Sequence, residues 1–434
     1  MRSDHDRTNA RKDARRNPPR LLFRLLGPGL VTGAADDDPS GIATYSQAGA
    51  HFAYGLLWTV FLTTPFMIAI QLVSAHIGRV TGKGIVANVK QFYPRPVVVV
   101  LVALLVTANT INIAADLAAM GEALALVIGG LPREHALVFA AGSVLLQVFV
   151  PYRFYAPILK ALTLVLFLYV ATALTIRIPW GEALAGTVWP KPSLDWDYLL
   201  TVVAVLGTTI SPYLFFWQAS QEVEEMRRGQ RQRPLNALTR GGEPELDRMA
   251  IDTTAGMILS NVIAYFIILT TAATLNAHGI TDIHTAAEAA EALRPLAGDL
   301  SFLLFALGII GTGLLAVPVL AGSAAYGVAE AFGWRSTLEA RPSRAVGFYT
   351  IIAAATLIGL ALSLSPIAPI QMLFWTAVIN GIVAVPIMAV MMVIVTNHSV
   401  MGRFRVRVGL EVGGWAATAL MGFTVAALLW SLAS

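Results

Sequence analysis

Apolar stretches long enough to cross a bilayer follow one another from residue 27 to residue 432, and no polar linker large enough to form a domain separates them. A helix needs about 20 apolar residues to traverse the hydrocarbon core. On that measure the spans fall near 27–49, 54–79, 97–128, 137–150, 155–177, 198–220, 248–275, 300–332, 344–364, 369–396 and 411–432. The expected fold class is an all-α membrane protein of about eleven transmembrane helices. Composition agrees: 13% of the 434 residues are charged, against about 25% in a soluble domain. The absence of cysteine excludes disulfides, zinc-thiolate sites and iron–sulfur clusters.

The basic residues set the orientation, because short cytoplasmic loops retain Lys and Arg. With the N-terminus cytoplasmic and the C-terminus outside, 26 of the 30 Lys and Arg residues fall in inside segments; only Arg133, Arg177, Lys191 and Arg294 do not. A wrong span count would scramble that partition. Residues 1–20, with Arg11, Lys12, Arg15, Arg16 and Arg20, read as a disordered, basic cytoplasmic tail, and residues 21–434 as a single transmembrane transporter domain. The net charge of +4 thus belongs to contact with membrane lipid, not to a nucleic-acid partner. The external loop 276–299 holds Asp282, Glu288, Glu291 and Asp299 against one Arg294. It is either a vestibule that concentrates cations or an ordinary solvated loop.

Two spans are interrupted. The first contains Asp36-Asp37-Asp38-Pro39-Ser40-Gly41, and each mid-membrane carboxylate costs at least about 2.5–3.5 kcal/mol to insert. Pro39 and Gly41 break the helix, so that Asp38 opens the second half with Pro at its first position. Asp38 is either a helix cap and nothing more, or part of a site; one cap needs one carboxylate, and there are three. The sixth span contains Gly207-Thr208-Thr209-Ile210-Ser211-Pro212-Tyr213. Paired interruptions at matching positions of two halves point to a transporter's central site. Unwound backbone is tolerated at that depth only where it is buried in protein or lines a cavity, and its carbonyls suit a cation. Five helices, five more in inverted order and one extra account for all eleven. Repeat one covers about 27–177, repeat two about 198–396, and the extra helix 411–432.

The third span places Asn109, Asn112 and Asp116 on one helical face by their i, i+3, i+7 spacing. Asp116 is either a proton or charge carrier or a structural partner for a neighbouring helix. Glu122, a second relay candidate, lies about 120° round the helix from Asp116. Asn380 in the tenth span either lines the same cavity or makes a helix–helix hydrogen bond. No HExxH pair, GxSxG elbow or P-loop is present, so no enzyme chemistry is expected.

Gly27-Pro28-Gly29, Asp38-Pro39-Ser40-Gly41, Ala48-Gly49-Ala50, Tyr54-Gly55-Leu56-Leu57-Trp58 and Val80-Thr81-Gly82-Lys83 follow in order. Together with Ala115-Asp116-Leu117-Ala118 and Phe305-Ala306-Leu307-Gly308, they resemble the Nramp metal-ion transporters. The resemblance implies a LeuT-like 5+5 inverted repeat, with metal coordinated where the first and sixth helices break. It carries the family's Asp ligand to Asp38 and its backbone-carbonyl ligand to Thr208. The departures fall on the remaining ligands. The family's Asp-Pro-Gly-Asn is here Asp38-Pro39-Ser40-Gly41, which loses the Asn. Its Met-Pro-His is Ser211-Pro212-Tyr213, which loses a thioether and a histidine linked to proton movement. The Glu of its third-helix pattern is Ala119. These changes resemble the distant prokaryotic branch of Nramp-related magnesium transporters, and imply residence in a prokaryotic plasma membrane.

Removing a thioether leaves carboxylate, hydroxyl and carbonyl oxygens, which suit magnesium and manganese. Magnesium keeps several waters, so Asp36 and Asp37 are expected to act through water, beside Asp38, Ser211, Thr208 and Asn380. The expected function is uptake of a divalent metal, Mg2+ or Mn2+, by alternating access. The metal is a substrate, no cofactor is expected, and a monomer is the expected form. Two alternatives stand: a proton-coupled Mn2+/Fe2+ symporter, and a LeuT-fold carrier of a small organic cation. Three aspartates oppose an anionic substrate, and no aromatic cage for an organic cation surrounds Trp217.

Overall fold

The computed structural model describes residues 27–151, 154, 161, 164–228, 233–237 and 241–432. The basic tail and the first part of the fifth span lie outside the described residues. Proline and glycine set most of the helix boundaries. Helices α1 (Pro28–Asp36) and α2 (Pro39–Phe52) make up the broken first span, followed by α3 (Leu57–Thr81), a short α4 (Ile85–Phe92) and the long α5 (Arg95–Ile128). Then come α6 (Pro132–Phe149), α7 (Phe167–Thr175), α8 (Trp180–Val188), and the two halves of the sixth span, α9 (Trp196–Thr209) and α10 (Pro212–Arg228). The second half continues with α11 (Glu243–Thr274), α12 (Ser301–Phe332), α13 (Val346–Ser363), α14 (Pro369–Thr396) and α15 (Val408–Ser431).

Eight stretches of described helix are long and apolar enough to cross a membrane. One of them combines α2 with α3, so the eight contain nine of the expected spans. The other two are α6, whose first turn carries Arg133 and Glu134, and α7, whose preceding residues are not described. The amphipathic α4 and the nine-residue α8 are both too short to span, so hydropathy does not mark them.

Each break has a local cause. Pro39 lacks an N–H and disfavours helical geometry in the residue before it; Asp37 (φ −81, ψ 52) and Asp38 (φ −71, ψ 171) leave the helix accordingly. Ile210 (φ −117, ψ 64) ends α9 one residue before Ser211, and Pro212 starts α10. Both halves of the first broken helix pack on α11, while α10 packs on α3 and α9 on α14. On the other side α5 packs against α12, α13 and α14. The two breaks therefore lie between an α3/α11 layer and an α5/α12/α14 layer. Glycine allows the closest contacts. A Cβ on Gly33 would sit 2.3 Å from the Gly256 carbonyl oxygen, one on Gly256 2.3 Å from that of Gly29, and one on Gly207 2.0 Å from that of Ala377. Here α1 meets α11, and α9 meets α14, backbone against backbone, as small residues permit in membranes.

Candidate functional site

The break in the first span turns Asp38 into the N-cap of α2. Its Oδ1 accepts the Gly41 N–H at 2.8 Å and the Ser40 hydroxyl at 2.6 Å. Its Oδ2 faces the opposite layer and accepts Asn112 Nδ2 from α5 at 3.1 Å and Tyr213 Oη from α10 at 3.2 Å. Capping and site-building are thus functions of the same side chain, one oxygen for each. The buried carboxylate is surrounded by donors, the arrangement that keeps an anion tolerable away from water.

The second break faces the first. An added Cβ on Gly41 would lie 3.2 Å from Thr208 Oγ1, a hydroxyl with no hydrogen-bond partner among the described residues. The Ser211 hydroxyl donates to the carbonyls of Gly207 (2.9 Å) and Thr208 (2.7 Å), which leaves its own lone pairs unused. Tyr213 Oη also reaches the Ala35 carbonyl at 2.9 Å and so pins α10 to the end of α1. Asn380 Nδ2 on α14 lies 3.4 Å from Asn112 Oδ1. Asp38, Asn112, Tyr213 and Asn380 therefore form one chain of contacts through four spans. Asp38, Thr208, Ser211, Asn112, Tyr213 and Asn380 are each 2% exposed or less.

Other acidic residues go elsewhere. Asp36 and Asp37 both turn to Ser260 on α11, at 2.5 and 3.1 Å, and Asp36 Oδ1 has no partner among the described residues. Asp116, one turn from Asn112, is fully buried, and neither of its carboxylate oxygens has a hydrogen-bond partner among the described residues. Asn109 is committed to Leu320 O and Ser323 on α12. Glu122 is not brought to this group: its Oε1 accepts the Ala286 N–H of the loop 276–299 at 3.2 Å. In that loop Asp282 contacts His51 and Gln47 of α2, Glu288 closes a capping box with Thr285, and Glu291 pairs with Arg294. Several of its acids are thus spent on local structure, although Gln47, His51, Asp197, Asp282 and His284 do line a cavity of about 340 Å³.

Among the described residues, no three His, Cys, Asp or Glu side chains form a ready-made metal cage. An ion at the breaks would be held by one carboxylate with hydroxyl, carbonyl and amide oxygens, the donor set of a hard cation.

On the N-terminal side of the site, Asp252 of α11 accepts the N–H groups of Gly27 (3.0 Å) and Gly29 (2.7 Å) at the start of α1. Thr32 donates to Gln218 at 2.5 Å, and Gln218 donates to Glu222 at 3.1 Å. Ser260 and Asp252 were not anticipated from sequence. Their only signal is a polar side chain in the apolar run of α11, which does not reveal the partner.

The family model described as natural resistance-associated macrophage protein-like (Nramp) matches residues 29–431. A protein named divalent metal cation transporter MntH, from Yersinia pestis (strain Pestoides F), is 29% identical over 317 residues, 71% of this chain and 73% of that protein. Its namesake from Yersinia enterocolitica is 28% identical over 310 residues, 69% and 71%. In architecture the chain is similar to the manganese transporter of Eremococcus coleocola, with TM-score 0.75, 15% identity, and 93% of this chain and 86% of that one covered. It is also similar to Mhp1, a nucleobase-cation-symport-1 family transporter in a closed conformation (TM-score 0.54, 14% identity, 94% and 92% covered).

Proposed function

The chain belongs to the Nramp family of transporters, and from that premise we propose that it carries a divalent metal cation, Mg2+ or Mn2+, across the membrane by alternating access. The observation that carries the reading is the buried Asp38 carboxylate at the break of the first span, turned toward the break of the sixth. In this reading Asp38 is the principal ligand. The Thr208 carbonyl and the Ser211 hydroxyl oxygen, which lacks the thioether softness of the family's methionine, complete a hard oxygen set. Asn380 acts on the ion from the tenth span, and Asp36 and Asp37 act through water from the α11 side.

Such a site suits an ion that retains part of its hydration, because one carboxylate and a few neutral oxygens do not replace six waters. The names of the MntH relatives support a divalent cation as cargo. A proton-coupled manganese or iron symporter is the second reading. It is favoured by Asp116, a buried carboxylate whose oxygens have no hydrogen-bond partner among the described residues, one turn from the Asp38 contact. The orientation that goes with both readings has the N-terminus cytoplasmic, so that α1 is the inner half of the first span. A monomer is the form both readings assume.

Uptake of Mg2+ and Mn2+ into sealed proteoliposomes tests the assignment. Asp38→Asn keeps the cap, because Asn caps about as well as Asp, yet removes the charge that holds the ion. Transport lost with folding retained is the expected result. Near-normal uptake by that variant would reduce Asp38 to a cap.

A further inference from the structure

Both oxygens of the Asp38 carboxylate accept hydrogen bonds. An ionised carboxylate offers about four lone-pair directions; Ser40 and Gly41 address Oδ1 and Asn112 addresses Oδ2, while Tyr213 adds at most a share of the one proton it also gives the Ala35 carbonyl. An ion that coordinates this carboxylate directly competes with these donors for its lone pairs. Ser40 and Gly41 belong to the first turn of α2 and move with Asp38. Tyr213 has one proton, and its shorter contact is to the Ala35 carbonyl, 2.9 Å against 3.2 Å, so its bond to Asp38 is the weaker one and Asn112 is the full donor at Oδ2. Asn112 is different. It reaches in from α5 on a short side chain with two rotatable bonds, and its amide must present Nδ2, since the oxygen would repel the carboxylate.

We propose that Asn112 is the donor that yields: ion binding at Asp38 displaces the Asn112 amide, which makes this residue a competitor that sets the site's affinity. The inference rests on Asp38 being the ion's ligand, as proposed above. A second consequence follows from where the bond lies. α2 packs on α11 and also on α14, whereas Asn112 stands on α5, which packs with α12, α13 and α14. The Asn112–Asp38 bond is therefore one of the contacts between the two layers, and the arriving ion releases it. Asn380, whose Nδ2 faces Asn112 Oδ1, extends the same tie to α14. Occupancy is thereby reported to the packing between layers, which is the contact that has to change for the site to face the other side.

Mn2+ binding to the purified full-length carrier by titration calorimetry, with Mn2+ uptake in proteoliposomes, tests this. Asn112→Ala removes the competitor, so Kd and KM should both fall, by about tenfold for one bond to a charged group, while the maximal rate falls as the ion leaves more slowly. A residue that only packs, or that is itself a ligand, predicts unchanged or weaker binding, and that result overturns the proposal. Should Asn112→Ala not fold, Asn112→Ser serves in its place, because a buried helical serine satisfies itself on its own i−4 carbonyl. Asp38→Asn separates the two levels. Binding lost in Asp38→Asn but not tightened in Asn112→Ala sinks the competitor alone, whereas binding undisturbed by Asp38→Asn removes the ligand reading and this inference with it.

Discussion

At the scale of single residues, the chemistry depends on oxygen atoms that still have lone pairs to give. The Ser211 hydroxyl spends its proton on the Gly207 and Thr208 carbonyls and keeps its lone pairs. Ser211→Met would put a polarizable sulfur in that place, and sulfur prefers softer ions. Cadmium should then compete against radioactive Mn2+ uptake several-fold better than in the wild type, and unaltered competition would exclude Ser211 from the ion's surroundings. The breaks beside Asp38 and Ser211 were legible in the sequence because a proline marks each of them. The partners were not. Asn112, Asn380 and Tyr213 become one chain only when four spans are assembled, and Ser260 claims Asp36 and Asp37 from a helix more than 200 residues away. Glu122 and Asp116 fall on different helical faces in the sequence, but nothing there shows that the loop 276–299 occupies Glu122.

At the scale of elements, α1 is a nine-residue helix held at both ends by other spans: Asp252 caps its start, and Tyr213 bonds the Ala35 carbonyl near its end. A carboxylate on two N–H groups at a helix N-terminus gains from both the hydrogen bonds and the dipole. Asp252→Ala should therefore weaken the docking of α1 on α11 by about 1–2 kcal/mol, or about five- to thirtyfold in population. The chain has no native cysteine, so a lone Val31→Cys in α1 reports the change. Its labelling by a hydrophilic maleimide should accelerate in the Asp252→Ala background, and an unchanged rate would mean that the cap does not govern α1. Elements of this kind were only partly readable. Their breaks and boundaries follow from Pro39, Pro212 and the apolar runs, whereas the pairing of α1 with α11 depends on Gly29, Gly33 and Gly256, whose spacing is too common in membrane helices to identify a partner.

At the scale of the whole molecule, the partition of Lys and Arg predicts opposite sides for the loop after α10 and the loop before α12. Cysteines introduced singly at Asn236 and Asp299, both exposed, test this in intact cells. An impermeant reagent should label only Asp299→Cys; the reverse pattern would invert the proposed orientation. The meeting of α1 and α11 backbone on backbone then has an electrical consequence. A living membrane holds a voltage, worth about 2.3 kcal/mol per elementary charge at 100 mV, and any water-filled crevice through a carrier would drain it. Side chains at such a seam fluctuate and let water in behind them. Carbonyls and Cα atoms in direct contact leave no such gap: a Cβ at Gly29 would come within 2.4 Å of the Thr253 Cα. Gly29, Gly33 and Gly256 hold α1 and α11 in direct backbone contact, and a seam without such a gap resists that drain.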